Sequence, residues 1–231
     1  MKIAFNAIRV SNKAGSGFDT FIINFVNEFA KYVYENPQLN ISFDVFTLYP
    51  QHFPEVKKEN IKQVKLPFLK QKVVNLQSIK KNNVPVKNKL FFSYLLTPIY
   101  YQLSTTYFTF ADYFRMFWTQ FVFPFYAKNY DITVALTEYE VGVFVKNQIL
   151  IIHNTVPFLF PHYPSKYRFY TYKILPKIIR EKCKKIITVS NILKRELTNI
   201  FGINLENIEV IYEGINTNSF RVADSYKIEN L

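Results

Sequence analysis

One histidine stands where a catalytic or ligand-binding side chain would be expected. His153 follows directly after the apolar run at residues 148–152, which predicts a buried strand. In a sheet of parallel strands the carboxyl ends of the strands line the ligand crevice, and an imidazole there can take or give a proton near neutral pH. A lone loop histidine is also commonly structural, so the residue type alone leaves both roles open.

Two glycines flank a serine between the first predicted strand and the first predicted helix. Gly15, Ser16 and Gly17 lie between an apolar run at residues 2–7 and an amphipathic pattern at residues 18–33. Glycine lets backbone N–H groups approach a phosphate at a helix N-terminus, where the helix dipole is positive. The spacing matches neither the G-x-G-x-x-G fingerprint nor a Walker A motif, and from spacing alone a plain tight turn is the favoured alternative.

Other polar residues also follow predicted strands. Glu138 and Glu140 come after the apolar residues 132–136, where a carboxylate could accept hydrogen bonds from substrate hydroxyls. The alternative is that both are solvated loop charges, and their position in a predicted loop slightly favours this alternative. Ser190 follows the apolar residues 185–189 as the N-cap of the next helix, and capping explains this serine without a ligand.

Strand and helix patterns alternate along the whole chain. Further strands are predicted at residues 41–48, 61–66 and 208–212, and further helices at residues 114–126, 165–184 and 191–201. Pro176 should kink or break the second of these helices, and Gly202 should end the third. Such alternation predicts an α/β fold with a doubly wound, mainly parallel sheet, forming a single Rossmann-like domain.

The chain is strongly basic, with a net charge of +12. Its lysines and arginines are concentrated at residues 55–89 and 164–195, which favours anionic partners such as phospholipid or nucleotide phosphates. A solvated basic surface is the alternative. A nucleic-acid-binding protein is the weakest interpretation, because no signature of a nucleic-acid fold is present.

Residues 90–111 carry no charge, so a membrane span has to be considered. Their many hydroxyl and amide groups make a poor span, and an interfacial or buried segment is favoured. The first ten residues do not resemble a signal peptide, since Asn6 and Arg9 interrupt the apolar run. Cys183 is the single cysteine and is expected at a partly buried helix end, which indicates a reducing compartment. The three histidines lack the spacing of a metal site.

The order of motifs in the second half resembles the N-terminal domain of family 4 glycosyltransferases. The matching elements are Trp118-x-Gln120, His153-Asn154, Thr188-Val189-Ser190 and Glu213-Gly214-Ile215-Asn216, together with Pro157, Pro161 and Pro176. No single motif is specific, and the ordered set carries the resemblance. Trp118 is expected to have a packing role.

The resemblance implies the GT-B fold, in which two Rossmann-like domains enclose a cleft. Gly15 and Gly17 would face the diphosphate of a sugar nucleotide, and His153 would be the catalytic residue near the sugar and the reaction centre. The expected substrate-binding residues are Gly15, Ser16, Gly17, Glu138, Asn154 and Ser190. Members of this family retain anomeric configuration, need no metal, and hold the donor mainly in their second domain.

We therefore expect residues 1–212 to form the acceptor-side domain, with residues 213–231 leading to a second domain that this chain lacks. The expected reaction moves a sugar from a nucleotide sugar to a carbohydrate or lipid-linked acceptor in cell-surface glycan synthesis, without a cofactor or metal. Alone, the chain should be inactive. We expect a cytoplasmic location, peripheral at the inner face of the cell membrane. The alternative is a non-catalytic module that docks a donor-binding subunit or an anionic membrane lipid.

Overall fold

The sheet is the organising element of this protein. The structure, a computed structural model, describes residues 1–65, 113–159 and 175–214. Its seven strands are all parallel and lie in the order β3-β2-β1-β4-β5-β6-β7. They are β1 Lys2–Asn6, β2 Ser42–Thr47, β3 Ile61–Gln63, β4 Ile132–Ala135, β5 Gln148–Ile152, β6 Cys183–Thr188 and β7 Ile208–Val210.

The chain starts in the middle of the sheet and is wound outward in both directions. β1 pairs with β2 on one side and with β4 on the other, with Ala4 opposite both Asp44 and Thr133. Because all strands run the same way, their carboxyl ends share one edge of the sheet. The predicted α/β fold with a doubly wound parallel sheet is confirmed.

Alternate residues of the central strands contribute to different cores. Ile3 and Phe5 pack into a cluster with buried residues of helix α1, Gly17–Glu35, whereas Ala4 packs into a second cluster with Trp118. This alternation follows from the two-residue period of a strand. In β5, Ile151 belongs to the cluster with α1, and Leu150 belongs to a third cluster on the helices that flank β6. Both faces of the sheet are therefore covered.

Helix α1 begins with a capping box. The Ser16 hydroxyl accepts a hydrogen bond from the Asp19 backbone N–H at 3.1 Å, and the Asp19 carboxylate accepts one from the Ser16 backbone N–H at 3.3 Å. The same carboxylate accepts hydrogen bonds from the backbone N–H and the hydroxyl of Ser11. Asp19 thereby fastens the loop after β1 to the start of the helix.

In the described part of the chain, further helices flank the sheet, among them Phe123–Ala127, Val156–Leu159, Leu175–Lys182 and Asn191–Phe201. Ser190 caps the last of them by accepting the Leu193 N–H, and Gly202 ends it at a φ of 64°. Both predictions for this helix are confirmed. Among the helices of the described residues, none is long and apolar enough to cross a membrane. Residues 90–111 lie outside the described part.

The helical segment at residues 113–127 contains a π-helical turn at Trp118–Val122. Trp118 is buried there and packs against Phe46 and Tyr126, which confirms its predicted packing role. Gln120 turns inward as well, and its amide donates to the carbonyl oxygen of Val141 at 2.9 Å.

Some predicted boundaries were wrong. β6 starts at Cys183 rather than at residue 185, because Cys183 already pairs with Gln148 of β5. The preceding helix therefore ends at Lys182, and Cys183 is a strand residue whose burial raises the pKa of its thiol to about 12. The edge strands β3 and β7 are shorter than predicted. The first part of the predicted helix, residues 165–174, lies outside the described residues.

Replacing Asp19 should destabilise the fold in a pH-dependent way. Burial would raise the pKa of Asp19, but hydrogen bonds from Ser11 and Ser16 outweigh it, and the pKa is lowered from 3.8. The stabilisation is therefore present above about pH 4 and is lost as the pH falls through the lowered value. Asp19→Asn should reduce the free energy of unfolding by about 1 kcal/mol at pH 7.

The measurement is urea-induced unfolding at pH 7 and pH 3. Glu28→Gln is the matched control, since Glu28 lies on the same helix with its side chain 70% exposed and pairs with Lys31. The difference between wild type and Asp19→Asn should shrink at pH 3. A difference that is equal at both pH values, or no larger than that of the control, would contradict the assignment.

Candidate functional site

His153 lies at the carboxyl edge of the sheet, one residue past β5. Its Nδ1 is 2.9 Å from Oε1 of Glu213, which follows β7, and its Nε2 is 3.3 Å from the carbonyl oxygen of Leu136, which follows β4. The imidazole side chain is only 9% exposed. The ring is therefore held between the ends of two other strands.

The loop after His153 is fastened to the neighbouring helix. The Thr155 carbonyl oxygen accepts hydrogen bonds from the backbone N–H groups of Phe158 and Leu159, which starts a short helix. The Thr155 hydroxyl donates to the carboxylate of Glu196 in the helix Asn191–Phe201. Asn154, between these two anchored residues, is half-buried beside the histidine.

Two phenylalanines of α1 pack against the imidazole. The ring centroid of Phe21 is 4.2 Å from that of His153, and the centroid of Phe18 is 5.5 Å away, both in edge-to-face arrangements. Phe18 follows Gly17 directly. The first turn of α1, which carries Gly15–Gly17 on its N-terminal side, and His153 therefore lie at the same edge of the sheet, as is expected of groups that follow parallel strands.

Arg9 is part of the same edge, and the sequence analysis did not single it out. Its guanidinium carbon lies 5.1 Å from the ring centroid of Phe18 and 4.9 Å from that of Tyr139. Phe18 thus contacts both Arg9 and His153. The only sequence signal was one basic residue after the first strand, which is too common to be informative.

Glu138 and Glu140 are buried, with exposures of 1% and 3%. The interpretation as solvated loop charges was wrong. Both residues belong to the short helical turn Glu138–Glu140, and the Glu140 side chain reaches the loop that follows β1. There, Oε1 of Glu140 accepts the backbone N–H of Arg9 at 3.1 Å.

Burial changes the acidity of both carboxyl groups. It raises the pKa of Glu140 to about 7, although the charge and backbone N–H of Arg9 act in the opposite direction. Burial likewise raises the pKa of Glu138, against weaker effects of Arg9 and His153. Oε2 of Glu138 has no hydrogen-bond partner among the described residues. This oxygen of Glu138 is therefore a buried polar atom at the edge of the sheet that no donor in the described part of the protein satisfies.

The glycine-containing loop has a different geometry from the one expected of a tight glycine turn. The residue in the left-handed region is Ala14, with a φ of 47°, whereas neither Gly15 nor Gly17 has a positive φ. A Cβ added to Gly17 would meet no described atom within 4 Å, and one added to Gly15 would only reach the Lys13 carbonyl oxygen at 4.0 Å. Neither backbone strain nor packing in the described part requires glycine at these positions.

Ser190 lies at the same edge, since the preceding strand pairs Thr188 with Ile152. Its hydroxyl accepts the Leu193 N–H at 3.1 Å, so it is engaged in capping. The structure thus brings His153, Glu138, Asn154, Ser190 and the Gly15–Gly17 loop to one edge. Among the described residues, no group of three or more His, Cys, Asp or Glu side chains could hold a metal ion.

Glu140→Gln should change how stability depends on pH. The folded state keeps the Glu140 proton up to about pH 7, whereas the ordinary pKa is 4.5, so folding binds a proton in this window. Wild-type stability therefore falls as the pH rises from about 4.5 to 7. The amide cannot ionise and keeps an oxygen for the Arg9 N–H, so the variant should gain on the order of 3 kcal/mol relative to wild type between pH 5 and pH 8.

Urea unfolding at the two pH values measures this difference. The exposed Glu206→Gln should show no such relative gain and serves as the control. A gain of the opposite sign, with the variant losing stability relative to wild type at pH 8, would exclude a buried carboxyl group with a raised pKa.

Comparison with known proteins identifies the family. The sequence model of Glycosyltransferase Family 4 matches residues 96–219, which is more than half of the 231 residues. Over 76 residues the chain is 29% identical to the O-antigen chain mannosyltransferase RfbU of Salmonella typhimurium. That match covers 33% of this chain and 21% of the Salmonella protein.

Solved structures are more distant in sequence. Alr3699/HepE of Anabaena, in complex with UDP-glucose, is 15% identical with a TM-score of 0.49 over 100% of this chain and 49% of that chain. A glycosyltransferase from Rickettsia africae is 14% identical with a TM-score of 0.37 over 99% of this chain and 48% of that chain. The chain thus spans about half the length of these structures and about a fifth of the Salmonella protein. By the extent of its family match, and in agreement with its doubly wound parallel sheet, the chain belongs to Glycosyltransferase Family 4.

Proposed function

We propose that this chain is the acceptor-side domain of a retaining glycosyltransferase. Such an enzyme moves a sugar from a nucleotide sugar to a carbohydrate or lipid-linked acceptor in cell-surface glycan synthesis. The observation that carries the proposal is the position of His153, held at the carboxyl edge of the sheet next to the first turn of α1. Family membership supports sugar transfer as the reaction class.

His153 is the proposed catalytic residue. Its ring lies where a crevice ligand would meet the strand ends, and packing against Phe18 and Phe21 restricts its orientation. A ring with restricted orientation needs less reorganisation to act on charge that develops in the transition state. Such an effect raises kcat more than it tightens binding, because the interaction strengthens during the reaction.

The Gly15–Gly17 loop is proposed to receive the diphosphate of the donor. Among the described residues, the backbone N–H groups of Gly15, Gly17 and Phe18 have no acceptor. The missing side chains leave open space around the two glycines. Unpaired N–H groups beside a helix start, with room for an anion, favour phosphate. The Ser16 N–H is already used by Asp19.

Substrate hydroxyls would be held by groups close to His153. Oε2 of Glu138 is the unsatisfied buried acceptor, and a hydroxyl that reaches it would remove the cost of leaving it unpaired. The half-buried Asn154 amide offers both a donor and an acceptor. We assign Ser190 only a secondary contact, because its hydroxyl already caps a helix.

The donor is proposed to be held mainly by a second domain, as the family resemblance implies. Residues 1–212 then form the acceptor-side domain, and residues 213–231 lead toward the other one. We propose that the reaction needs neither a resident metal nor a cofactor. The protein would work in the cytoplasm, where nucleotide sugars are substrates.

A second role is favoured by one surface feature. Tyr113, Phe117, Phe121 and Phe125 repeat every four residues along residues 113–127 and are all more than half exposed, with Phe144 beside them. Arg115 lies in this segment and Lys128 follows it directly, and residues 113–128 include no acidic residue. Aromatic rings with basic neighbours suit an anionic membrane interface. This surface could instead dock a donor-binding subunit.

Sugar transfer tests the first role. Transfer is measured with a panel of nucleotide sugars, including a mannose donor, for the 231-residue chain alone and joined to the donor-binding domain of a family member. The chain alone should be inactive, and the joined enzyme active. His153→Ala in the joined enzyme should lower kcat by about 100-fold or more with a smaller change in KM.

His52→Ala is the matched control, because this histidine lies after β2 and contacts Tyr49 and Asn12 rather than His153. It should leave kcat unchanged. Robust turnover by the 231-residue chain alone would refute the two-domain proposal, and a His153→Ala effect confined to KM would refute the catalytic role.

Vesicle co-sedimentation tests the membrane role. The chain should bind anionic vesicles more tightly than neutral ones, with about 1 kcal/mol for each basic residue near the surface. Phe117→Ser combined with Phe121→Ser should weaken binding by about tenfold or more, since each buried ring contributes roughly 1.5–3 kcal/mol. Tyr32→Ser, at a ring 57% exposed on α1, is the control. The membrane role would be refuted if the chain bound both vesicle types equally, or if it bound neither type.

A further inference from the structure

Both ring nitrogens of His153 face oxygen atoms that only accept hydrogen bonds. Nδ1 is 2.9 Å from the Glu213 carboxylate, and Nε2 is 3.3 Å from the Leu136 carbonyl oxygen. A neutral imidazole has one N–H and one lone pair, so it can satisfy only one of these acceptors. The imidazolium donates at both nitrogens and is the form that satisfies both contacts.

We propose that Glu213 is a positioning residue of this site that holds His153 as a doubly protonated ring, whose Nε2–H is donated to the Leu136 carbonyl oxygen until substrate binds. This inference rests on the proposed function only in placing His153 at the reaction centre. Glu213 is not itself a catalytic residue, because its contact is with Nδ1, on the other side of the ring from Nε2.

The surrounding charges agree with a cationic ring. From the end of β7 the histidine contacts the Glu213 carboxylate, and from the segment after β4 it faces the buried Glu138 carboxyl group, whose pKa is raised by burial. From α1 it meets only Phe18 and Phe21, which are uncharged. Arg9 reaches the histidine through the ring of Phe18 rather than directly. The charged group in direct contact with the ring is therefore the Glu213 carboxylate, which favours a cationic imidazole.

The protonated ring has a defined chemical role. It cannot remove a proton from an acceptor hydroxyl, because neither nitrogen offers a lone pair. It can donate Nε2–H to a substrate oxygen that replaces the Leu136 carbonyl, and its positive charge stabilises negative charge that develops there. Glu213 keeps Nδ1 occupied, so the proton at Nε2 is the one presented to substrate.

Nuclear magnetic resonance of the 231-residue chain, labelled with ¹⁵N-histidine, tests the proposal directly. The His153 signals are assigned by their loss in His153→Asn. At pH 7 an unperturbed imidazole is roughly three-quarters neutral, whereas wild-type His153 should show a proton on both ring nitrogens. Glu213→Gln, which has almost the same shape without the charge, should lose one of the two N–H signals.

Glu209→Gln is the matched control, since Glu209 is an exposed residue of β7 that pairs with Lys185. It should leave both signals in place. The proposal is overturned if wild-type His153 carries a single ring proton at pH 7, or if Glu213→Gln retains both.

Activity separates this inference from the proposed function. In the joined enzyme, Glu213→Gln should lower kcat by about tenfold or more with little change in KM, and Glu209→Gln should change neither. If the N–H signal is lost but kcat stays unchanged, the catalytic role proposed for His153 fails while the effect of Glu213 on the ring stands. If the signals do not respond to Glu213→Gln, the positioning role fails whatever the activity.

Discussion

The pairing of β1 with both β2 and β4 is the constraint on which the candidate site depends. It places the first strand at the centre of the sheet and brings its carboxyl end beside the ends of strands that come much later in the chain. Polar residues that are far apart in sequence therefore meet at one edge. The Asn6 amide, for example, donates to the Thr119 hydroxyl across 113 positions of sequence. Without the central position of β1, Arg9 would have no buried carboxylates beneath it.

The same edge combines buried carboxyl groups, a guanidinium, aromatic rings and the imidazole of His153. Glu138 and Glu140 are buried, and the guanidinium of Arg9 lies over the rings of Phe18 and Tyr139. His153 lies on the other side of Phe18 and is paired with the half-exposed Glu213. Because the guanidinium is held by aromatic rings rather than by a close ion pair, its orientation depends on packing.

The fold and part of the site could be predicted from sequence because they depend on local patterns. The apolar period of α1, the capping of the last helix by Ser190 and the position of His153 after a strand each need only a few neighbouring residues. The burial of Glu140 could not be predicted, because it depends on the Arg9 backbone N–H, 131 positions away. The contact of His153 with Glu213 spans 60 positions and joins two loops whose spacing only the sheet order defines. Ala14, not a glycine, adopts the left-handed conformation, and no turn rule would have selected it.

The central position of β1 also has a consequence for biosynthesis. The backbone N–H of Lys2 bonds to Asp131, a separation of 129 residues, so one side of the first strand has no partner until β4 has left the ribosome. At a synthesis rate of about 5–20 residues per second, that interval lasts roughly 6–26 s. During this time an apolar strand containing Ile3 and Phe5 offers an unpaired edge to other nascent chains. Expression of this protein should therefore depend on molecular chaperones that cover the first strand, and on translation speed through the segment that separates it from its partner.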